Sequence, residues 1–310
     1  MPMPHPTDER LAELTDKLEN GIKELYASDR YAEYLCATSK FHRYSFGNAM
    51  LILLQCPHAT HVAGYTTWKK EFGRNVKRHE KGIQILAPCP TSRYVWQDVC
   101  DPVSGAVVLN PDGTPKKETK RISVTRFKVA TVFDISQTEG RELPRIGVTR
   151  LTGEVENYSE IYAKLEQLSP VPVQTDTCPG EANGYFSSTE QRIVLRPGMS
   201  QVQTIKTLVH EIAHAKLHDA TKVPQEQRKL HREKEVEAES IAYVVCQHIG
   251  IDTSEYSFGY VAGWSKGKEM EELKSSLDLI HATAGEMLAV LDGQREQKHR
   301  QPKHPMQPTH

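Results

Sequence analysis

The sequence has no apolar run long enough to cross a lipid bilayer. Its longest uninterrupted apolar stretch covers residues 49–54, whereas a membrane-spanning helix needs about 20 such residues. The N-terminal residues show neither the basic segment nor the apolar segment of a secretory signal peptide. We therefore expect a protein that is neither embedded in a membrane nor secreted.

Cysteine pairs are also lacking, because the six cysteines are scattered and no Cys-x-x-Cys spacing occurs. This pattern argues against a disulfide framework and fits reduced, mostly structural thiols in the cytoplasm. Hydrophobic residues make up 38% and charged residues 25% of the chain, which is typical of a soluble globular protein. The length of 310 residues is sufficient for two hydrophobic cores.

Net charge is almost absent from the whole chain but not from its two halves. The formal net charge is −1, yet residues 1–150 carry +5 and the remaining residues carry −6. Residues 40–130 contain 15 basic and 6 acidic side chains, a net charge of +9. This polarity indicates two domains with different partners, the first of which favours a polyanion.

The strongest motif is a His-Glu-x-x-His sequence at residues 210–214. On an α-helix, residues four apart lie on one face about 6 Å from each other, so His210 and His214 can bind one metal ion. Glu211 then lies beside that face, close to a metal-bound water. We therefore predict Glu211 as the catalytic residue.

The surroundings of the motif favour a helix and narrow its class. Ser200 predicts the N-cap, with Gln203 as its capping-box partner. His218 continues the four-residue spacing, but it lies roughly 12 Å along the helix axis from His210 and cannot share the ion. The metzincin pattern needs a third histidine where this chain has Ala220, which excludes that subclass.

A second, acidic helix predicted over residues 233–249 offers a third metal ligand. Glu237 lies one turn before Ile241 on the apolar face of this helix, so we predict that it completes a two-histidine, one-glutamate site. Glu233, one turn earlier on the same side, is the alternative. The expected ion is Zn²⁺, although such a ligand set accepts other divalent metals.

Residues 64–82 interleave basic and aromatic side chains. Basic groups can follow a phosphate backbone while aromatic rings stack on bases, which suits single-stranded nucleic acid without sequence specificity. The alternative interpretation is a solvated helix whose aromatic side chains face the core. The local charge favours binding, and the candidate DNA-binding residues in and before this stretch are Tyr44, Asn48, Tyr65, Trp68, Lys69, Lys70, Arg74, Lys77, Arg78 and Lys81.

The order of helical and strand patterns predicts an α+β fold of two domains. Turn-forming residues mark a polar insertion at 97–122, and we interpret its basic run at 116–121 as a solvated hairpin rim. A stretch rich in Gly, Pro and Thr places a linker at 139–153. The polar, basic tail at 293–310 is expected to be disordered.

Two segments around the motif are candidates for the walls of a substrate cleft. By analogy with zinc peptidases, we expect the strand at residues 193–195 to border the cleft and to pair with an extended peptide. The aromatic, glycine-containing segment at 256–264 is expected to close over the site or to pack against it.

Motifs in both halves together resemble the ArdC family of antirestriction proteins, over most of residues 10–290. In the N-terminal half the resemblance rests on YSFGN (44–48), AGYTTW (63–68), GIQILAP (82–88) and VFDISQT (132–138). In the C-terminal half it rests on HEIAH (210–214), EAESIAY (237–243) and SFGY (257–260). The insertion at 97–122 departs from the family pattern.

The resemblance implies a single-stranded-DNA-binding domain at residues 1–138 and a zincin-like metallopeptidase domain at residues 154–292. It also implies plasmid- or phage-linked protection of incoming DNA from host restriction. The Glu-Ala placement at 237–238 is similar to that of other two-histidine, one-glutamate metallopeptidases, which supports Glu237 as a ligand.

Three functional hypotheses follow. The first is a metal-dependent peptidase in which Glu211 activates water against a protein substrate. The second is a non-catalytic single-stranded-DNA-binding protector with a structural metal site. The third is a regulatory peptidase that cleaves a repressor and uses the basic domain for targeting. The first two are compatible, and their combination is our prediction.

Overall fold

The N-terminal half begins with three helices and continues into strands. The computed structural model describes residues 6–27, 30–101, 105–142, 155, 157–251 and 269–293. The elements of this half are α1 (Pro6–Ala27), α2 (Tyr31–Phe41), α3 (Phe46–Gln55), β1 (Val62–Gly64), α4 (Tyr65–Lys70), β2 (Arg74–Val76), β3 (Ile83–Asp98), β4 (Lys117–Asp134) and β5 (Thr138–Gly140).

Helix α3 shows how local sequence sets these boundaries. The Ser45 side chain accepts a hydrogen bond from the Asn48 N–H and caps the helix N-terminus. The seven buried residues of this helix, which include Met50 and Ile52, fill the core. The helix ends at Gln55, shortly before Pro57, whose ring is incompatible with a helix interior.

Strands β3 and β4 form a long antiparallel ribbon. Pairing runs from Ile83 opposite Val132 to Asp98 opposite Lys117, and backbone hydrogen bonds such as Val99 N–H to Lys116 O continue it. The predicted insertion at 97–122 is therefore the distal part of one hairpin. Strand β1 pairs with β4 at the base, giving the sheet order β1-β4-β3.

Among the described residues, the C-terminal half combines a small sheet with four helices. Its elements are α5 (Tyr158–Leu168), β6 (Val173–Thr175), β7 (Gly184–Ser187), β8 (Arg192–Leu195), α6 (Gln201–Leu217), α7 (His231–His248) and α8 (Met270–Leu291). The sheet order is β6-β8-β7, with β6 parallel and β7 antiparallel to β8. The mixed architecture confirms the predicted α+β class.

One hydrophobic core joins the two halves. Its buried residues come from α2 and α3 as well as from α6, α7 and α8. The Tyr31 hydroxyl lies 3.0 Å from the Ser240 hydroxyl of α7, and His281 of α8 donates a hydrogen bond to the Tyr44 carbonyl at 2.7 Å. The division into domains around residues 139–153 stays a prediction, since the described helices of both halves pack together.

Two further expectations bear on the described residues, and two others do not. No helix there is both long and apolar enough to cross a membrane. All six cysteines are free thiols, as predicted. The aromatic segment at 256–264 and the tail beyond residue 293 lie outside the described residues.

Candidate metal centre and nucleic-acid surface

The His-Glu-x-x-His motif lies in the middle of helix α6, as predicted. The Ser200 hydroxyl accepts a hydrogen bond from the Gln203 N–H at 3.2 Å, which confirms the N-cap. The reciprocal half of the capping box is replaced, because the Gln203 amide donates to the Thr207 hydroxyl at 3.1 Å. The helix is thus held in place at its start, and the motif follows two turns later.

His210 and His214 point their Nε2 atoms at each other across a distance of 3.0 Å. Both side chains are largely buried, with 20% and 15% of their surface exposed. The four-residue spacing therefore brings two imidazole nitrogens to one point, as the sequence predicts. Neither histidine needs to move far to share a metal ion.

The third group at this point is Glu235 of α7. One of its oxygens lies 3.3 Å from His214 Nε2 and the other lies 3.6 Å from His210 Nε2. Across the part of the chain that the structure describes, these three residues form the one cluster whose ligand atoms all lie within 4.8 Å of one another. Two imidazoles and one carboxylate are a donor set that zinc sites in enzymes use.

The predicted ligand Glu237 does not reach the two motif histidines, and this prediction is corrected. Residues two apart on a helix point to nearly opposite sides, so Glu235 and Glu237 cannot serve one site. Glu237 is fully buried and contacts His218, Lys229 and Ser276 instead. The apolar face that favoured Glu237 packs into the core, whereas the metal cluster lies at the edge of that face.

The alternative ligand Glu233 is not at the cluster either. Its carboxylate accepts a hydrogen bond from the Leu230 N–H at 2.8 Å and completes the N-terminus of α7. The described residues therefore support Glu235 as the third ligand, a residue that was not predicted. The four-residue spacing of Glu235 and Glu239 was the missed signal, because it places both side chains on the face of α7 that contacts α6.

Charges within the cluster are strongly coupled. Hydrogen bonds from His210 and then His214 hold the pKa of Glu235 well below its usual range, although burial opposes this. Burial lowers the pKa of His210, but the carboxylates of Glu235 and Glu239 outweigh it and raise the value to about 10. Burial is also the main reason why the pKa of His214 is lowered. The carboxylates around the two histidines thus favour a positive charge at this point.

Glu211 lies beside the cluster and is only 7% exposed. Burial is the largest cause of its raised pKa, and the negative charge of Glu235 adds to it, while His210 and the Phe186 N–H act in the opposite direction. A raised pKa makes a carboxylate a stronger proton acceptor, which suits a general base. The residue predicted to be catalytic therefore lies next to the cluster.

A cleft opens in front of His210 and Glu211. Its other walls come from the start of β7, from α6 and from α7; they include Asn183, Gly184, Gln203, Thr207 and Glu239. Strand β7 is at the edge of its sheet, whereas β8 is central and paired on both sides. The expectation that residues 193–195 border the cleft is therefore wrong, and β7 takes that position.

Gly184 allows the close approach of β7 to helix α6. A Cβ atom at this position would lie 2.6 Å from the Thr207 Cγ2 atom and 2.9 Å from the Val194 carbonyl oxygen. Any side chain at residue 184 would therefore push the edge strand away from the motif helix. The cleft keeps its width because this residue has no side chain.

Several candidate DNA-binding residues prove to be structural. Trp68 is only 1% exposed, and its indole N–H donates a hydrogen bond to the Phe133 carbonyl at 2.9 Å. Asn48 is buried and binds both backbone groups of Leu86, at 2.9 and 2.8 Å. Neither side chain is available for a base, and the alternative interpretation, in which aromatic side chains of residues 64–82 face the core, is right for Trp68.

Tyr44 and Arg74 are also engaged within the protein. The Tyr44 hydroxyl donates to the Val62 carbonyl at 2.7 Å, and the Arg74 guanidinium binds both the hydroxyl and the carbonyl of Thr138. Both contacts fix strands at the base of the ribbon. The predicted residues that are exposed are Tyr65, Lys69, Lys70, Lys77, Arg78 and Lys81.

The β3–β4 ribbon carries aromatic side chains that the sequence analysis did not select. Tyr94, Trp96 and Phe127 are 70%, 73% and 52% exposed. The pairing register places all three on one face, and Arg121 is directly opposite Tyr94. The signal in the sequence was the pair of aromatic residues at alternate positions, Tyr94 and Trp96. Nearby turn residues concealed it, because they made the region resemble a loop.

A histidine pair from one helix and a glutamate from the next thus form a donor set that suits a divalent metal ion. Comparison with known proteins bears mainly on the other half of the chain. Residues 7–133 match the family described as the N-terminal domain of anti-restriction factor ArdC. This match covers the N-terminal part of the chain, for which the sequence motifs indicated the same family.

Other relatives extend over more of the chain. An uncharacterized protein of Bacillus anthracis is 29% identical over 316 aligned residues, covering 92% of this chain and 51% of that protein. The chain thus spans about half the length of this curated relative. Crystal structures of the antirestriction ArdC protein from the R388 plasmid cover 81% of this chain: the metal-free form is 21% identical with a TM-score of 0.47, and the Mn(II)-bound form 19% with 0.44. The matched regions make up 85% of the ArdC chain in the metal-free structure and 84% in the Mn(II)-bound structure.

Proposed function

We propose that this protein is a metal-dependent peptidase with a single-stranded-DNA-binding N-terminal half, and that it protects incoming plasmid or phage DNA from restriction. The observation that carries the catalytic part is the convergence of His210, His214 and Glu235 beside Glu211. Two of these residues, His210 and Glu211, line a cleft that is bordered by the edge strand β7.

The donor set fits a divalent ion, and Zn²⁺ is our first choice. Two imidazole nitrogens and one carboxylate leave a coordination position for water. Bound Zn²⁺ lowers the pKa of such a water to about 7 and polarises a carbonyl group. Other divalent ions can take the same ligands. We prefer zinc because two imidazoles and one carboxylate are typical of its catalytic sites.

Glu211 supplies the proton transfers. Its carboxylate accepts a proton from the attacking water and later donates that proton to the nitrogen of the leaving amine. Burial raises the pKa of this carboxylate, which favours both uptake of the proton and its retention until the second step. This role requires no other acid in the described part of the cleft.

Strand β7 provides the proposed binding edge for the substrate. It hydrogen-bonds to β8 on one side only, and an extended peptide can add to the other side through its backbone. Main-chain pairing recognises shape more than sequence, so we expect an extended protein segment as the substrate class.

The DNA-binding part rests on the ribbon and on the exposed lysines near α4. Tyr94, Trp96 and Phe127 are exposed on one face of the ribbon. Arg121 lies on the same face, directly opposite Tyr94. Aromatic faces that stack bases, flanked by basic groups, are the usual means of binding single strands without sequence preference. The ribbon therefore replaces Trp68 and Asn48 as the expected contact surface.

A second candidate function is a non-catalytic protector in which DNA binding alone shields the strand. The exposed aromatic face favours it, because that face is separate from the metal cluster in the fold. In this case the metal would stabilise α6 against α7 and Glu211 would have no reaction to perform.

Glu211→Gln separates the two candidates. We expect the variant to keep its metal and its affinity for a single-stranded oligonucleotide, while peptide hydrolysis falls about 100- to 10,000-fold. Glu226→Gln is the matched control, since Glu226 is exposed and remote from the cluster. Hydrolysis at the wild-type rate would contradict the mechanism. Full protection of DNA by an inactive variant would favour the second candidate.

A further inference from the structure

A line of polar side chains runs from the metal cluster into the core behind His214. The Nδ1 atom of His214 lies 3.0 Å from Nδ1 of His218, and Nε2 of His218 lies 2.9 Å from a Glu237 oxygen. His218 is 8% exposed and Glu237 is fully buried. The distances are those of hydrogen bonds, and the residues that make them are shielded from solvent.

Glu237 faces hydrogen-bond donors on both of its oxygens. One oxygen accepts from the Ser276 hydroxyl at 2.9 Å and from the Lys229 ammonium group. The other oxygen faces His218 Nε2. A carboxylate held by Lys229 and Ser276 acts as an acceptor, so His218 must donate from Nε2.

The proton on His218 Nε2 determines the arrangement at His214. A neutral imidazole carries one N–H, so His218 Nδ1 is an acceptor. His214 must then donate from its own Nδ1, which leaves the lone pair at Nε2. That atom faces His210 and Glu235 at the metal cluster.

We propose that Glu237 and His218 are positioning residues that hold His214 in the tautomer able to bind a divalent ion through Nε2. This inference rests on the proposed metal centre and adds the reason why a buried carboxylate lies behind it. Outer partners of ligand histidines typically change metal affinity about 10- to 100-fold.

His210 is supported in a simpler way on the other side of the cluster. Its Nδ1 atom lies 3.5 Å from a Glu239 oxygen, without an intervening residue. Glu239 and Glu237 both come from α7, which also supplies Glu235. One helix therefore provides a ligand and an outer carboxylate for each of the two histidines.

Two substitutions at one position separate a hydrogen-bonding role from a packing role. His218→Phe keeps a ring but offers no acceptor to His214 and no donor to Glu237. His218→Gln loses the ring but offers an amide oxygen and an amide N–H to the same two partners. Ser276→Ala is the control, because it removes a partner of Glu237 and leaves the His218 contact in place.

The measurement is the affinity of the full-length, metal-free protein for Zn²⁺ against a competing chelator, with thermal unfolding recorded in parallel. We expect His218→Phe to bind Zn²⁺ about 10- to 100-fold more weakly, with His218→Gln and Ser276→Ala close to wild type. Equal affinities for the Phe variant and wild type, or a loss with Gln alone, would overturn the inference. A wild-type protein without affinity for Zn²⁺ or Mn²⁺ would instead refute the metal centre itself.

The tautomers can also be read directly in the wild-type protein, which does not depend on any variant folding. With Zn²⁺ bound, ¹⁵N-edited NMR of histidine side chains should show the proton of His214 on Nδ1 and that of His218 on Nε2. A proton on Nδ1 of His218 would contradict the proposed chain of hydrogen bonds.

Discussion

The side chains of the metal cluster and those of the β3–β4 ribbon differ in how far they are exposed to solvent. At the cluster, His210 and His214 are largely buried and Glu235 is partly exposed, and all three are held by charged or polar neighbours. On the ribbon, Trp96 and Tyr94 are left largely exposed. Chemistry that needs fixed geometry is built from enclosed groups, whereas a surface for a flexible polymer can leave its aromatic groups without an internal partner.

The largest expected effect tests the enclosed side of this comparison. Glu235→Ala removes a ligand, so we expect Zn²⁺ affinity to fall by more than about 100-fold, beyond the range typical of outer partners. Glu237→Ala should cost less in affinity and more in thermal stability, because it leaves Lys229 without its buried partner. Chelator competition measures the first effect. A larger affinity loss for Glu237→Ala than for Glu235→Ala would break the comparison.

The next effect tests the exposed side. Trp96→Ala should weaken binding to a labelled oligothymidine by about 1–3 kcal/mol, the usual contribution of one stacked base. Fluorescence anisotropy measures the affinity. Trp68→Phe is the matched control: it removes a buried hydrogen bond to Phe133 and should lower stability without changing DNA affinity. If Trp68→Phe weakened DNA binding and Trp96→Ala did not, the binding surface would lie at α4 instead of on the ribbon.

A third prediction concerns the enclosed carboxylate at the base of the ribbon. Asp134 is buried and accepts hydrogen bonds from the N–H groups of Thr60, His61 and Ser136 and from the Ser136 hydroxyl. Asp134→Asn should reduce the free energy of unfolding by about 1–3 kcal/mol. Urea unfolding at neutral pH is the measurement, and an unchanged midpoint would contradict it.

The same carboxylate gives the ribbon a pH-dependent stability. Burial raises the pKa of Asp134, but its hydrogen bonds, from Ser136 above all, outweigh burial and leave the value below normal. A lowered native pKa contributes stability above the unfolded value of about 4, and this is lost as pH falls through the native value. The loss between pH 5 and lower pH should be smaller in Asp134→Asn, as urea titrations can determine.

The smallest expected effect concerns the charge on the ribbon. Arg121→Ala should reduce the slope of log affinity against log salt for single-stranded DNA by about 0.7, the value for one phosphate contact. Glu118→Gln, on the opposite face of the same strand, serves as the control. A slope that does not change would remove Arg121 from the DNA surface while leaving the aromatic side chains in place.

Much of the enclosed site could be predicted because helical spacing is a strong constraint. The four-residue interval fixes His210 and His214 on one face whatever surrounds them. The third ligand could not be fixed in this way, since it depends on the rotation of α7 relative to α6. Glu235 and Glu237 differ by two positions, and the packing of α7 places Glu237 against Ser276 of α8 and Glu235 against the histidines.

The N-terminal surface was harder to predict for a different reason. A basic and aromatic composition indicates a binding region, but it does not say which aromatic residue is inside. Trp68 is drawn into the core by a partner 65 residues away, Phe133. The ribbon at 83–134 was divided by its turn residues into separate segments, so Tyr94 and Arg121 were not recognised as neighbours.

The central claim is tested most directly by the position of the metal itself. Crystals of the protein soaked in Zn²⁺ should give one anomalous difference peak at about 2.0–2.2 Å from His210 Nε2, His214 Nε2 and a Glu235 oxygen. Glu237 should remain hydrogen-bonded to His218 in the same crystals. A peak coordinated by Glu237, or no peak near the histidine pair, would contradict the account.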